Sequence, residues 1–109
     1  MFTVTRNAPD YIWDEIYNSV GNVERSVNEW LLTCKASNER NHPSLRQLLV
    51  DLRDSTDGLR IGDHTSIASI IILSLRTQEK VHDERVTIEV KHLCENLYAL
   101  ESYLKTHLS

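Results

Sequence analysis

The chain has 109 residues and a formal net charge of −4, and 40% of its residues are hydrophobic while 26% are charged. This balance is typical of a globular protein and excludes an intrinsically disordered chain. A chain of this length can bury a core of its own, so we interpret residues 1–109 as a single domain. Acidic and basic residues are interspersed, and the sequence therefore predicts no basic surface for nucleic acid.

The cysteine content and the longest apolar stretch bear on the cellular compartment. Cys34 and Cys94 are fewer cysteines than a small secreted scaffold normally carries. The first residues are not followed by the apolar run of a signal peptide. Residues 67–75 form the longest apolar stretch, about half of the ~20 residues that span a bilayer. The sequence predicts a cytoplasmic protein with no membrane contact, in which both thiols are small buried hydrophobes.

The first predicted helix carries the clearest periodic pattern. It follows an N-terminal arm over residues 1–8, and residues 7–10 are typical of a helix start because they combine capping side chains with Pro9. Its apolar residues alternate between spacings of three and four, which is a heptad seam and predicts a helix over 10–35. The seam keeps its phase across Gly21, so we expect one continuous helix; a break there, with Asn22 capping a second helix, is the alternative. The seam residues are Trp13, Ile16, Val20, Val23, Val27, Trp30 and Cys34.

Two further helices are predicted in the middle of the chain. Pro43 and the leucines after it predict a helix over 43–57, with Gly58 as its C-terminal cap. Asp63 or Thr65 is expected to cap a third helix over 65–81. Apolar residues occupy every side of this third helix, and such a helix is covered on all sides. The sequence therefore predicts a central apolar helix over 65–80, wrapped by the rest of the chain or by a second copy.

The last helix is predicted after a change of register near residues 81–84. We place a turn near His82 and Asp83, with Asp83 capping a helix over 84–107. Residues 86–90 also alternate like a strand, so a β-hairpin there is the alternative. The helical interpretation is favoured because the apolar positions form a second unbroken heptad seam. Its members are Val86, Val90, Leu93, Leu97, Leu100 and Leu104.

The predicted fold is therefore all-α: a single-domain bundle of about four helices. Its two heptad-type seams, over 13–34 and 86–104, lie around the central apolar helix.

Arg85 and His92 are separated by six residues. This pair resembles the Arg-x4–6-His motif of HEPN-type ribonucleases, which are small helical bundles that usually dimerise. The resemblance covers these two residues, the chain length and the helical character. It implies that Arg85 and His92 would be catalytic. The residue after the arginine is commonly polar in that family, whereas Val86 stands here.

Residues 79–82 and 89–92 each read Glu-x-x-His, the pairing that di-iron bundles use. A metal would need these ligands to point inward from facing helices. Glu89 and His92 each lie one residue off the seam, toward solvent, and the first seam contains no glutamate. A metal-binding bundle is therefore the second alternative, and no cofactor is predicted.

The sequence holds no convergent polar constellation of the kind that catalysis needs, and it has surplus apolar residues. We therefore expect a small interaction protein that binds rather than catalyses: an adaptor, an inhibitor or immunity-type protein, or an assembly subunit. Because one chain offers too few apolar faces to cover the third helix, a homodimer is predicted, with a different partner protein as the other choice. The interface candidates are Ile67, Ile70, Ile72, Leu73, Tyr17 and Leu31.

Overall fold

A computed structural model describes residues 8–33, 42–62 and 66–108. They form four helices and, within these ranges, no strand, so the all-α prediction is confirmed and the hairpin alternative at 86–90 is wrong. The bounds agree with the predicted ones to within three residues. The helices are α1 (Asp10–Thr33), α2 (His42–Arg60), α3 (Ile67–Val81) and α4 (Glu84–Leu108). The predicted arm falls outside the described residues except for Ala8, which is buried.

Neighbouring helices run antiparallel around the bundle. Contacts between Glu24 and Arg53 join α1 to α2, and the amide of Asn96 donates to Ser19 Oγ at 2.5 Å, which joins α4 to α1. The close turn at His82 folds α4 back on α3. α1 packs most extensively on α4 and least on α2, whereas α3 contacts α2 and α4. The molecule is elongated, with extents of 50 × 22 × 18 Å.

Both predicted seams form the core. Every seam residue from Trp13 to Val27 on α1 and from Val86 to Leu100 on α4 is at most 1% exposed. The seams loosen at their ends, where Trp30 and Leu104 are only partly buried. Cys34, the last member of the first seam, lies outside the described residues. Apolar residues at heptad spacing are therefore what fixes α1 against α4.

Small hydroxyl side chains complete the buried surfaces. Ser19 and Ser26 lie seven residues apart on α1, and each donates to the carbonyl four residues earlier at 2.9 Å. Thr56 on α2 and Thr77 on α3 do the same at 2.8 and 3.0 Å. A buried hydroxyl bonded to its own helix costs little free energy, and its small volume lets neighbouring helices approach closely.

α3 is not covered on all sides within one chain. Its buried stripe consists of Ile70, Ser74, Thr77 and Val81, of which only two are apolar. On the other side of the helix, Ile72 and Leu75 are 50% and 45% exposed. α3 therefore occupies one corner of the bundle. The sequence predicted that α3 is covered on all sides, and one chain alone does not provide that cover.

Helix α2 ends later than the sequence indicated. It continues through Gly58 to Arg60, so the predicted cap at Gly58 is wrong. The extension buries Leu59, which is 4% exposed, in the core. Gly62 takes the left-handed conformation instead, with φ of 81°, and its N–H donates to the carbonyl of Leu59 at 3.2 Å. The apolar contact of Leu59 is the physical reason why the helix runs past the first glycine.

The cap of α3 also differs from the predicted one. Ser66 is the N-cap, because its Oγ accepts from the N–H of Ser69 at 3.1 Å. The predicted caps Asp63 and Thr65 lie outside the described residues.

Two other local predictions are confirmed. α1 continues through Gly21 without a break. The turn before α4 forms as expected, with His82 in the left-handed conformation and Asp83 Oδ2 accepting from the N–H of Val86 at 3.2 Å. A carboxylate at this place stabilises the helix start because it pairs with a free N–H and with the positive end of the helix dipole.

Candidate functional site

An apolar surface runs along the outer side of α3 and onto α4. On α3 its residues follow the spacing i, i+3, i+4, i+7, which places them on one side of the helix. Ile72 and Leu75 are about half exposed, and Tyr98 on α4 is 53% exposed. We name this surface the α3/α4 face and define it by Ala68, Ile71, Ile72, Leu75, Cys94 and Tyr98.

The register of the two helices follows from one contact. Ser74 Oγ lies 3.7 Å from Cys94 Sγ, and the same hydroxyl donates to the carbonyl of Ile71 at 2.8 Å. Tyr98 lies one turn after Cys94 on the same side of α4. Since α3 runs in the opposite direction, Tyr98 falls at the level of residues 70–71. The exposed aliphatic side chains of α3 and the Tyr98 ring therefore form one surface.

The predicted interface residues have different positions in the structure. Ile72 is on the α3/α4 face, while Ile67 and Leu73 are partly buried against the core. Ile70 is fully buried in the stripe that packs on the bundle, so it offers no surface to a partner in this arrangement. Tyr17 and Leu31 are partly buried residues of α1, a different helix from the one that carries the face.

Leu75 and Tyr98 were missing from the predicted interface. The sequence does contain a signal for Leu75, because it lies three residues after Ile72 on the same side of a helix. Tyr98 follows the buried seam residue Leu97, which places it off the core, but only the packing of α4 on α3 brings it to the side of the bundle that carries Ile71 and Leu75.

A polar network joins α1 to α2. The Tyr17 hydroxyl donates to Asp57 Oδ1 at 2.5 Å, and the Arg53 and Arg60 guanidinium carbons lie 5.9 and 5.6 Å from the centre of its ring. Burial raises the pKa of Tyr17 above its usual 10.0, and the hydrogen bond and negative charge of Asp57 raise it further, against the opposing effect of Arg60. The phenol is therefore a protonated donor and not a nucleophile at neutral pH.

The arginines of α2 pair with acids of α1. Arg53 donates two hydrogen bonds to the Glu24 carboxylate, at 3.1 and 2.5 Å, and this pairing raises the arginine pKa. Arg60 lies 3.7 Å from Asp10 and also covers the Trp13 ring. Both charges are thus matched across the two helices, which indicates a structural network that holds α1 against α2.

Arg85 and His92 both lie on exposed parts of α4. Arg85 pairs with Glu29 of α1, and His92 Nδ1 lies 3.4 Å from Glu89 Oε1. Arg85 lines a groove of about 460 Å³ together with Trp30, and His92 does not line it. The structure therefore does not bring the two into one cavity. Ribonuclease activity stays a prediction, and an RNA-cleavage assay of wild-type and His92→Ala protein tests it.

The two Glu-x-x-His segments do not converge on a common centre in the described ranges. Glu79, His82 and His92 are exposed. Within residues 8–33, 42–62 and 66–108, no group of three or more His, Cys, Asp or Glu side chains could hold a metal ion. Cys94 is a free thiol and is only partly buried.

Two further shallow grooves lie between neighbouring helices. Their volumes are about 440 Å³ between α1 and α2 and about 540 Å³ between α2 and α3. Both are rimmed by charged side chains and neither encloses its space. Small-molecule sites are usually enclosed and mostly apolar, so these grooves fit a side chain of a protein partner better than a cofactor.

Comparison with known proteins gave no significant match to a family model, to a curated protein or to a solved structure. Within the described part of the chain, none of the helices is both long and apolar enough to cross a membrane.

Proposed function

We propose that this chain is a small protein–protein interaction module, which acts by binding and not by catalysis, and that its partner packs on the α3/α4 face. The observation that carries the proposal is the exposure of Ile72 and Leu75 on a helix whose opposite side is packed in the bundle. Contiguous exposed apolar surface of this kind marks interaction sites.

The energetics support this proposal. Burying apolar surface contributes about 25 cal/mol per Å², so covering the exposed half of a leucine or isoleucine side chain stabilises a complex by roughly 1 kcal/mol. Tyr98 adds an aromatic side chain with a polar tip, the type that most often anchors an interface. Such side chains contribute to binding only where a partner covers them together, because association itself costs several kcal/mol.

The polar residues also favour binding over catalysis. Glu24 with Arg53, Tyr17 with Asp57, and Glu29 with Arg85 are pairs that each join two helices. Catalysis needs polar groups that converge on a space for substrate. Glu24 with Arg53 and Glu29 with Arg85 line open grooves, but each charge there is matched by its partner across two helices. This is the arrangement of a scaffold that presents a binding surface.

An adaptor, an inhibitor or immunity-type protein and an assembly subunit all use such a surface, and each belongs to this proposal. We propose a cytoplasmic location, which the low cysteine content supports. Reducing compartments keep thiols free.

Affinity capture with matched variants tests the proposal. Tagged wild-type protein, Leu75→Glu and the control Leu32→Glu are incubated with lysate of the source cell, and bound proteins are identified by mass spectrometry. Leu32 is 87% exposed on α1, so its variant adds the same charge away from the α3/α4 face. We expect wild type and Leu32→Glu to retain the same partner and Leu75→Glu to lose it. Equal retention of the same foreign protein by all three would contradict the proposal.

A further inference from the structure

We infer that the α3/α4 face binds a second copy of the same chain, with α3 packed antiparallel on α3 of the second copy and a two-fold axis passing between Ile71 and Ile72. This inference rests on the proposed function and names its partner. It is carried by two matches of the face with itself, one of side-chain size and one of charge.

The first match is one of size. Ala68 and Leu75 lie three and a half residues on either side of the point between Ile71 and Ile72. A two-fold axis at that point places Leu75 of one chain opposite Ala68 of the other, and the same contact occurs twice. A large side chain against a small one lets two helices interdigitate, while Ile71 and Ile72 meet across the axis.

The position of this axis on α4 follows from the contact between Ser74 and Cys94, which fixes how the two helices align. The axis lies two and a half residues before Ser74. Because α4 runs in the opposite direction, this corresponds to the point two and a half residues after Cys94, between Asn96 and Leu97. The same axis therefore packs α4 antiparallel on α4 of the second copy.

The second match is one of charge. Lys91, Cys94, Tyr98 and Glu101 follow the spacing 3, 4, 3, so the lysine and the glutamate lie on the side of α4 that carries the face. They lie five and a half residues before and four and a half residues after the axis. The difference of one residue is a rise of ~1.5 Å, which the long lysine side chain spans. Lys91 of one chain therefore reaches Glu101 of the other, and the contact occurs twice.

Both side chains are accessible for this contact. Lys91 is exposed, and the Glu101 side chain is 45% exposed although its carboxylate also lies 4.0 Å from Lys105 Nζ of the same chain. A carboxylate has two oxygens and accepts from two cations. The whole chain has a net charge of −4, so two copies repel at a distance, and opposite charges that meet in the contact offset this repulsion.

The face is small. Residues 68–75 of α3 span ~11 Å at 1.5 Å per residue, and two packed helices are ~18 Å wide, so the face covers roughly 200 Å². A standard stable interface buries about 800 Å² on each partner, so we expect a weak dimer. A single axis accounts for the match of size and, to within one residue, for the match of charge. Binding of a foreign partner would not require the face to match itself in size or in charge. The two matches therefore favour a second copy of the chain.

The oligomeric state of the purified protein is the first test. Light scattering after size exclusion should give about twice 12.6 kDa for wild type and for the control Leu32→Glu, and 12.6 kDa for Leu75→Glu. Wild-type protein that stays monomeric at about 100 µM would overturn the inference. The lysate experiment separates the two proposals: capture that still depends on Leu75 would leave the proposed function standing with another partner.

Charge reversal tests the axis itself. Lys91→Glu and Glu101→Lys should each raise the dissociation constant of the dimer about three- to tenfold, because each replaces two attractive contacts by two repulsive ones. The variant with both changes should bind more tightly than either single variant, since the reversed charges again face each other. Glu101→Lys also loses its contact with Lys105, but this loss affects monomer and dimer alike. A double variant as weak as the single ones would overturn this geometry.

Disulfide cross-linking tests the antiparallel arrangement. In a background with Cys34→Ala and Cys94→Ala, one chain carries Ala68→Cys and the other carries Leu75→Cys. Under mild oxidation the mixture should form a covalent dimer, while each chain alone should stay monomeric on a denaturing gel. A Leu75→Cys chain that cross-links to itself as readily as to Ala68→Cys would contradict the antiparallel pairing.

Discussion

Two glycines of this chain have opposite structural roles. Gly21 lies within α1, and a Cβ added there would meet no atom within 4 Å apart from the neighbouring backbone of its own helix. Gly62 follows α2 with φ of 81°, a conformation that side chains disfavour. Glycine therefore lowers the stability of the helix at position 21, whereas the backbone conformation requires it at position 62.

Replacing Gly21 by alanine should stabilise the protein by about 0.5–1 kcal/mol, because alanine restricts the unfolded chain and fits the helix without a clash. Urea unfolding followed by circular dichroism measures the change. The control Gly62→Ala should destabilise by about 1 kcal/mol through strain at positive φ. A loss of stability in Gly21→Ala would disprove the expected fit.

Tyr17 should make stability sensitive to alkaline pH. Its folded pKa is raised above 10.0, mainly by burial and then by Asp57, so the folded state holds the phenolic proton more tightly than the unfolded state. This contribution is fully present below pH 10.0 and is lost as pH rises from there through the folded pKa. Plots of the free energy of unfolding against pH, taken from melting curves of wild type and Tyr17→Phe, should be parallel below that pH and diverge above it. Parallel curves across the alkaline range would refute the effect.

Two residues that occupy equivalent positions in the heptad seams differ in burial. Leu97 is fully buried, whereas Trp30 is only partly buried and lines a surface groove. Leu97→Ala should therefore cost roughly 2–5 kcal/mol, as large-to-small changes in a core do. Trp30→Ala should cost less than Leu97→Ala despite its larger volume. Chemical denaturation of both variants gives the ranking, and the reverse order would show that Trp30 is a core residue.

At the scale of helices, the contacts of α1 differ on its two sides. Its apolar seam packs with α4, while its contact with α2 depends on charged and aromatic side chains. The arginines of α2 at positions 46, 53 and 60 repeat every seven residues, as the core residues do. We interpret this spacing as the feature that sets the register of α2 against α1.

Glu24→Gln should weaken this contact by about 0.5 kcal/mol, since the Glu24 and Arg53 side chains are 27% and 37% exposed and water screens the pair. The loss should shrink as salt is added, because salt already screens the wild-type charges. A double-mutant cycle with Arg53→Met isolates the pair by urea unfolding. Additive losses would mean that the two side chains do not stabilise each other.

At the scale of the whole molecule, the exposed side of α3 links stability to association. If folded chains pair through the α3/α4 face, the melting temperature of wild-type protein should rise with protein concentration. Leu75→Glu should melt at one temperature over the same range, and Leu32→Glu should behave as wild type. Differential scanning calorimetry at several concentrations measures this. A concentration-independent melting temperature for wild type would contradict the pairing.

The sequence by itself determined the helices and the two seams. Trp13 to Val27 and Val86 to Leu100 each have one apolar side, so their periodicity identifies which residues are buried. The change of register near His82 and the capping side chain of Asp83 likewise identify the last turn. In these segments the local pattern permits only one packing, and the structure agrees with it.

Only the tertiary structure decided which side of α3 is buried. A helix that is apolar all round has no preferred side in its sequence, so Ile70 and Ile72 are equivalent until the neighbours are in place. α2 and α4 cover the side that holds Ile70, Ser74 and Thr77, and Ile72 and Leu75 remain exposed. Tyr98 joins them only through the antiparallel packing of α4. The candidate site is thus a product of helix packing, because burial depends on what lies opposite a residue and not on the residue itself.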